Sequence, residues 1–277
     1  MDPLQPCGTR WRTSVRAQAN RIVVVTALLV LLPIVVIGER VRRGSGRRLL
    51  RWGVSIVATW CGVRFEVRGR RTGARPGSVI VPNHSSPMDI PALLWAESDI
   101  CFLAAADLFR IPLLAAAMRV VGTVPIDRRD HDRAQRQLDE LVAGRCGPVD
   151  GDLTIFAEGG IAPAGRRLPF KTGAFSLAIR SSSPGVPIAI HGADRVLPPR
   201  GRLLVRPGVV VVEFLESIDT SGLTAEDRHV LRDHVHDRVR AAVGTVESES
   251  AAEGRPDGPP SRRARRCRGR SSGPARV

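Results

Sequence analysis

The spacing of apolar positions changes character along the chain. Residues 22–38 read IVVVTALLVLLPIVVIG, seventeen uncharged residues with arginines on both sides. As a straight helix this stretch reaches about 25 Å, slightly short of a hydrocarbon core of ~30 Å. Pro33 lies inside it and predicts a kink. Residues 49–63 hold Leu49, Leu50, Trp52, Val54, Ile56, Val57 and Trp60 with a single charge, Arg51. Tryptophans beside arginines suit a membrane–water interface. Residues 22–63 are therefore expected to form a membrane-associated helical element, either a hairpin or one span followed by an interfacial helix. The plainer alternative makes residues 49–63 a core helix of the domain that follows.

From residue 63 the pattern shortens. VRFEVRG (63–69) alternates apolar and polar positions, as a half-buried strand does. SVIVP (78–82), DICFL (99–103), GTVPI (122–126), DLTIF (152–156), VPIAI (186–190) and VVVVEF (209–214) are further β-rich runs. Helical periodicity separates several of them. In residues 131–146, Ala134, Leu138, Leu141 and Val142 form one stripe. Thr224 with Asp227 caps a helix striped by Leu231, Val235, Val239 and Ala242. Strands alternating with helices predict a layered α/β domain over residues 64–245. Residues 246–277 are rich in Ser, Glu, Gly, Pro and Arg and are expected to be disordered.

Charge redraws this outline. The net charge of +15 over 277 residues is almost all arginine, and Lys171 is the one lysine. Residues 1–51, which include a basic segment at 1–21, carry ten arginines against Asp2 and Glu39. Residues 254–277 carry eight against Asp257. The stretch between is neutral, with 24 basic and 24 acidic side chains. A nucleic-acid-binding domain carries its charge on the folded unit, so a nucleic-acid partner is not expected. Arginines beside an apolar element favour anionic membrane lipids instead. The five widely spaced cysteines form no CxxC pair, which speaks against a disulfide framework and a zinc cluster. His229, His234 and His236 do not share a helix face, and no metal is expected. No Walker A loop, GxGxxG, HExxH or GxSxG is present.

One polar segment follows a strand directly. NHSSPMD (83–89) places His84 in a loop at a helix entrance and Asp89 in the first helical turn. A loop that folds back brings Asp89 to one imidazole nitrogen and leaves the other to take a proton from a hydroxyl. This is a His–Asp pair without a serine, suited to activating a substrate's own hydroxyl. By itself an HxxxxD spacing is common.

Further blocks follow in order. GTVPIDR (122–128) ends a strand in Asp127 and Arg128; FAEGG (156–160) ends another; Val186, Pro187 and Ile188 lie in a third; FKTGAF (170–175) stands between the last two. Together with Asn83, His84, Ser86 and Asp89, these blocks resemble the glycerolipid acyltransferase family, and bacterial 1-acylglycerol-3-phosphate (lysophosphatidic acid) acyltransferases in particular. The resemblance covers roughly residues 50–215. It implies a glycerol-3-phosphate (1)-acyltransferase-like α/β domain with a mixed sheet flanked by helices. It implies His84 and Asp89 as catalytic residues, and Arg128, Glu158, Gly159, Gly160, Lys171 and Pro187 as substrate-binding. The partners it implies are a lysophospholipid acceptor and acyl-CoA or acyl carrier protein as co-substrate, with no bound cofactor. The implied location is the cell membrane, with the active site facing the cytoplasm.

The third block departs from the family pattern. Ala157 stands where proline is expected, and Gly160, Ile161 and Ala162 replace threonine, arginine and serine. That arginine is a phosphate ligand in the family. Arg128, Arg129, Arg166, Arg167 and Lys171 are the available substitutes, since cationic forks suit phosphate oxygens. Two alternatives stay open: the same chemistry on another lysophospholipid, an ornithine-type lipid or a glycolipid; and a non-catalytic, membrane-anchored basic protein that binds anionic lipid or nucleic acid.

Overall fold

The computed structural model describes residues 7–73, 76–97, 99–127, 129–142, 151–161, 168–199 and 203–253. It opens with two antiparallel helices, α1 (Cys7–Val41) and α2 (Ser45–Cys61). α1 continues through Pro33, and its part Val15–Val41 is long and apolar enough to cross a membrane by length and composition. The turn between them is fixed by the Glu39 carboxylate, which accepts from the N–H of Gly44 and of Gly46 at 2.9–3.0 Å. Gly46 and Gly53 let the helices approach closely. A Cβ on Gly46 would lie 2.9 Å from the Val35 carbonyl oxygen, and one on Gly53 would collide with the Leu31 side chain.

The hairpin is fastened along its length. The Asn20 side-chain amide is buried and donates to the carbonyls of Cys61 and Val205 at 3.3 and 3.0 Å. Arg47 donates to Ile100 O and Val121 O, and Arg51 to Trp95 O. α2 has two apolar faces. Ala58 and Cys61 enter the core, while Trp52, Ile56 and Trp60, four residues apart, stay exposed. One side of α2 thus packs into the core and the other is exposed.

Seven strands follow: β1 (Val63–Arg68), β2 (Val79–Pro82), β3 (Ile100–Ala105), β4 (Val124–Ile126), β5 (Asp152–Thr154), β6 (Gly185–His191) and β7 (Gly208–Phe214). They form one sheet in the order β1-β7-β6-β2-β5-β3-β4. Neighbours are parallel except β6 and β7. The sheet is therefore mixed, with helices on both faces. β2 and β6 are buried throughout, as expected of central strands covered on both sides. The edge strand β1 exposes Arg64 and Arg68, which discourages pairing with another chain.

The period of two along each strand divides the core. Ile80, Ile188 and Ile190 face one layer with α2, α3 (Asp89–Ala96) and the short α7 (Ala193–Val196). Val79, Val81 and Ala189 face the other with α5 (His131–Val142), α6 (Gly173–Arg180) and α8 (Arg228–Glu253). The remaining helix, α4 (Pro112–Val120), packs against α1. The Thr224–Asp227 capping box is present and leads into α8 through a turn of 3-10 helix. The stripe of α8 buries Leu231, Val235, Val239 and Val243, with Ala242 packed beside them. α8 runs to Glu253, past the domain end expected at 245. Residues 246–253 are helical rather than disordered, because helix-forming Glu and Ala continue the turn pattern. The remainder of the expected tail, 254–277, lies outside the described residues.

Candidate active site

β2, β3, β4 and β5 run in the same direction, so the loops that follow them leave one edge of the sheet. His84 stands on the loop after β2. Its Nδ1–H donates to Asp89 Oδ2 at 2.9 Å. The same oxygen accepts from the backbone N–H of Ser85 at 2.8 Å and of Ser86 at 2.9 Å. Asp89 is fully buried, and its Oδ1 has no hydrogen-bond partner among the described residues. Burial pushes the Asp89 carboxyl above its ordinary value, against the pull of the three hydrogen bonds. The imidazole is thereby held at Nδ1. No hydrogen bond to its Nε2 is present among the described residues.

The loop itself is pinned by its polar residues. The Asn83 side chain accepts from Ile190 N at 2.7 Å and donates to Ile190 O at 3.0 Å, continuing the backbone pairing of β6 by one residue. Ser86 Oγ donates to Leu197 O at 2.6 Å and accepts from Met88 N. The His84 ring stacks on Phe156, with centroids 3.9 Å apart and planes at 22°. Phe156 comes from the segment after β5, and so does the next contact. Glu158 Oε1 accepts from the backbone N–H of His84 at 2.9 Å, and Oε2 accepts from Leu168 N at 3.4 Å. Glu158 is buried, which raises its carboxyl above the ordinary value. It organises two loops rather than touching the ring.

Gly159 adopts φ +78° and begins the glycine turn, its N–H donating to Phe156 O at 3.0 Å. A Cβ there would stand 2.8 Å from Lys171 Nζ, so the lysine ammonium lies over this turn. Open space surrounds Gly160 on its Cβ side. Ile161 follows it, half-buried, where the family pattern has a cation. Arg129 donates to Asp107 at 2.7 Å and is not directed to the glycine turn. Arg128, Arg166 and Arg167 lie outside the described residues. Pro187 lies inside β6, paired with Val81, one pair back from the edge that carries His84. His84, Asp89, Glu158, Gly159 and Lys171 are thus brought together; Pro187 is a buried strand residue behind them. Asn83, Ser86 and Phe156 support the site in ways that their spacing alone does not announce. No group of His, Cys, Asp and Glu able to hold a metal is found among the described residues.

The profile of the family described as Acyltransferase matches residues 64–191. A human protein, 1-acyl-sn-glycerol-3-phosphate acyltransferase beta, is 32% identical over 195 residues, covering 69% of this chain and 69% of its own. The chain belongs to the acyltransferase family. Mouse 1-acyl-sn-glycerol-3-phosphate acyltransferase alpha is 30% identical over 229 residues, covering 82% of this chain and 78% of its own. Among solved structures, the 1-acyl-sn-glycerophosphate (LPA) acyltransferase of Thermotoga maritima superposes with a TM-score of 0.70 at 23% identity, over 85% of this chain and 98% of that one. The acyltransferase fold thus takes in the N-terminal hairpin as well as the sheet. The His84–Asp89 pair is consistent with a catalytic dyad of this family: one ring nitrogen is committed to the carboxylate.

Proposed function

We propose that this acyltransferase moves a fatty acyl group from acyl-CoA or acyl carrier protein to the sn-2 hydroxyl of 1-acylglycerol-3-phosphate, giving phosphatidic acid. The observation that carries the reading is the 2.9 Å contact between His84 Nδ1 and a fully buried Asp89. Relatives whose printed activity is acylation of a lysolipid support it. His84 Nε2 takes the proton of the acceptor hydroxyl. The oxygen attacks the thioester carbonyl, the carbon–sulfur bond breaks, and the imidazolium returns the proton to the leaving thiolate. General base catalysis of this kind contributes about 10²–10⁴-fold in rate. No acyl-enzyme forms.

Glu158 is the positioning residue that keeps the His84 backbone in register. Lys171, above the Gly159 turn, is the cation that meets the acceptor phosphate in place of the arginine replaced by Ile161, with Arg128 as its sequence partner. The open side of Gly160 leaves room for that phosphate or for the developing oxyanion. Pro187 is assigned a packing role behind the site.

The membrane holds both reactants, and α1 with the exposed Trp52, Ile56 and Trp60 supports attachment there. The hairpin is tied at Asn20, Arg47 and Arg51 to the body of the enzyme, which favours insertion along the surface over a free span. The active site faces the cytoplasm, where thioester donors are made. The deciding experiment is thioester consumption by the purified protein across a panel of lysolipids. Turnover with 1-acylglycerol-3-phosphate ahead of uncharged and zwitterionic lysolipids supports the reading; preference for one of those rejects the phosphate acceptor. The latter outcome belongs to a second reading, the same chemistry on another lysolipid, ornithine-type lipid or glycolipid, which Ile161 favours.

A further inference from the structure

The segment after β3 leaves the same sheet edge as the His84 loop and has no part in the chemistry above. It is a turn of 3-10 helix, Ala106–Arg110, followed by Ile111 and α4. Only β5 separates β3 from β2, so the two strand ends lie about 10 Å apart across the sheet. The turn exposes Leu108 at 43% and Ile111 at 54%, and the Arg110 side chain between them at 80%. It is braced. Asp107 accepts from Arg129 at 2.7 Å, and the Arg119 guanidinium stands 5.6 Å from the Phe109 ring centroid.

Single exposed aliphatics are ordinary on a protein surface. A larger apolar surface lies at the other end of α4. The turn runs directly into α4, nine residues and about 14 Å long. α4 packs on α1, and its Val120 lies against Gly46 at the hairpin turn. The adjoining end of α1 exposes Ile34, Ile37 and Val41. Arg110 lies 3.8 Å from Asp107 and remains 80% exposed, with Arg119 and Arg129 beside the turn, and this net positive group between two aliphatics matches an anionic headgroup layer above acyl chains.

We propose that Leu108, Arg110 and Ile111 form a second contact with an anionic bilayer, on the catalytic edge and joined through α4 to α1. This rests on the membrane part of the reading above. Its consequence is that the acceptor hydroxyl reaches His84 from the lipid side without the lysolipid leaving the bilayer.

The test uses the full chain with Cys7, Cys146 and Cys267 changed to serine and one environment-sensitive dye at a new cysteine. The sites are Leu108→Cys, Ile37→Cys on α1 and Val230→Cys on the exposed side of α8. Phosphatidylglycerol vesicles should shift the emission of the dyes at 108 and 37 to the blue and leave that at 230 unchanged. A shift at 37 with none at 108 overturns the second contact. No shift at either site overturns it together with the membrane reading. A response at 108 to acyl carrier protein or CoA, but not to vesicles, gives the surface to the donor and overturns it too. In a separate arm, Leu108→Ser with Ile111→Ser should lose several-fold in rate on vesicle-borne 1-acylglycerol-3-phosphate and keep its rate on a short-chain soluble acceptor. Equal losses on both reject the proposal. Absence of turnover by the unmutated enzyme on either acceptor rejects the acceptor assignment instead, and the dye at 108 still decides the contact.

Discussion

Glu158 and His84 meet through carboxylate and backbone: Glu158 Oε1 accepts the main-chain N–H of His84 at 2.9 Å, while Asp89 takes the ring. Two carboxylates thus divide the labour of holding one histidine. Burial raises Glu158 above the ordinary glutamate value. A carboxyl raised in the fold releases its proton later than in the unfolded chain. Its ionisation therefore costs stability as pH climbs from the ordinary value through the folded one. Glu158→Gln removes that cost, so the stability of the variant relative to the unmutated enzyme should rise as pH climbs above the ordinary glutamate value. Urea denaturation across that range checks it; a difference flat in pH sinks the idea.

His84→Ala should lose about 10²–10⁴-fold in kcat, since no neighbouring base replaces Nε2. The fold should survive, because the ring's contacts with Phe156 and Asp89 are few and the loop stays pinned through Asn83, Ser86 and the His84 main-chain N–H. Asp89→Asn should fall comparably while staying folded. Its amide oxygen can stand in for Oδ2 and still accept from His84, Ser85 and Ser86, but the negative charge that stabilises the imidazolium is lost, and an amide NH2 stands where Oδ1 has no partner among the described residues. Circular dichroism and single-turnover acylation separate the two effects. Substantial turnover by His84→Ala contradicts the proposed base.

Lys171→Met should raise KM for 1-acylglycerol-3-phosphate with little change in kcat, if the ammonium binds the phosphate equally in ground and transition states. Lys171→Arg should recover part of the loss. An unchanged KM in the methionine variant removes Lys171 from the acceptor site.

Gly159→Ala tests the turn on which that lysine rests. A left-handed φ of +78° costs an L-residue roughly 1–2 kcal/mol, and the new methyl pushes Nζ away. Both stability and acceptor affinity should fall, in melting and in KM. A variant that keeps its KM shows that the ammonium does not need the glycine.

Gly53→Leu should wedge α1 from α2, because even a Cβ collides with Leu31. Overpacking of this sort costs about 1–3 kcal/mol. Flotation with anionic vesicles should show weakened binding, and normal binding argues that the hairpin opens in the membrane.

What could be read from the chain depends on how far apart the partners are. All seven strands lie where short apolar runs place them, because a run bounded by turn residues has few other uses in a buried sheet. The His84–Asp89 contact spans five residues, and a loop at a helix entrance closes it. The contacts that complete the site are long: 74 residues from Glu158 to His84 and 107 from Asn83 to Ile190. No local pattern signals them. Strand order and the antiparallel setting of β7 are likewise products of tertiary packing. Trp52 and Ala58 show a different difficulty, since the apolar residues of α2 lie on both sides of its polar stripe and periodicity does not say which side enters the core. The end of α8 is ambiguous in the sequence for a simpler reason: Glu, Ser and Ala at 247–252 satisfy a helix and a loose tail alike.

Ala58 and Cys61 of α2 share their packing layer with Ile80 and Leu93, and Asn20 of α1 satisfies two carbonyls of the body. The family match begins at residue 64, just beyond that layer. A soluble catalytic fragment cut there would not be the enzyme without its anchor. It would be a sheet missing one wall, with a hydrophobic trough where a helix had been, and it would be expected to aggregate before it could be assayed.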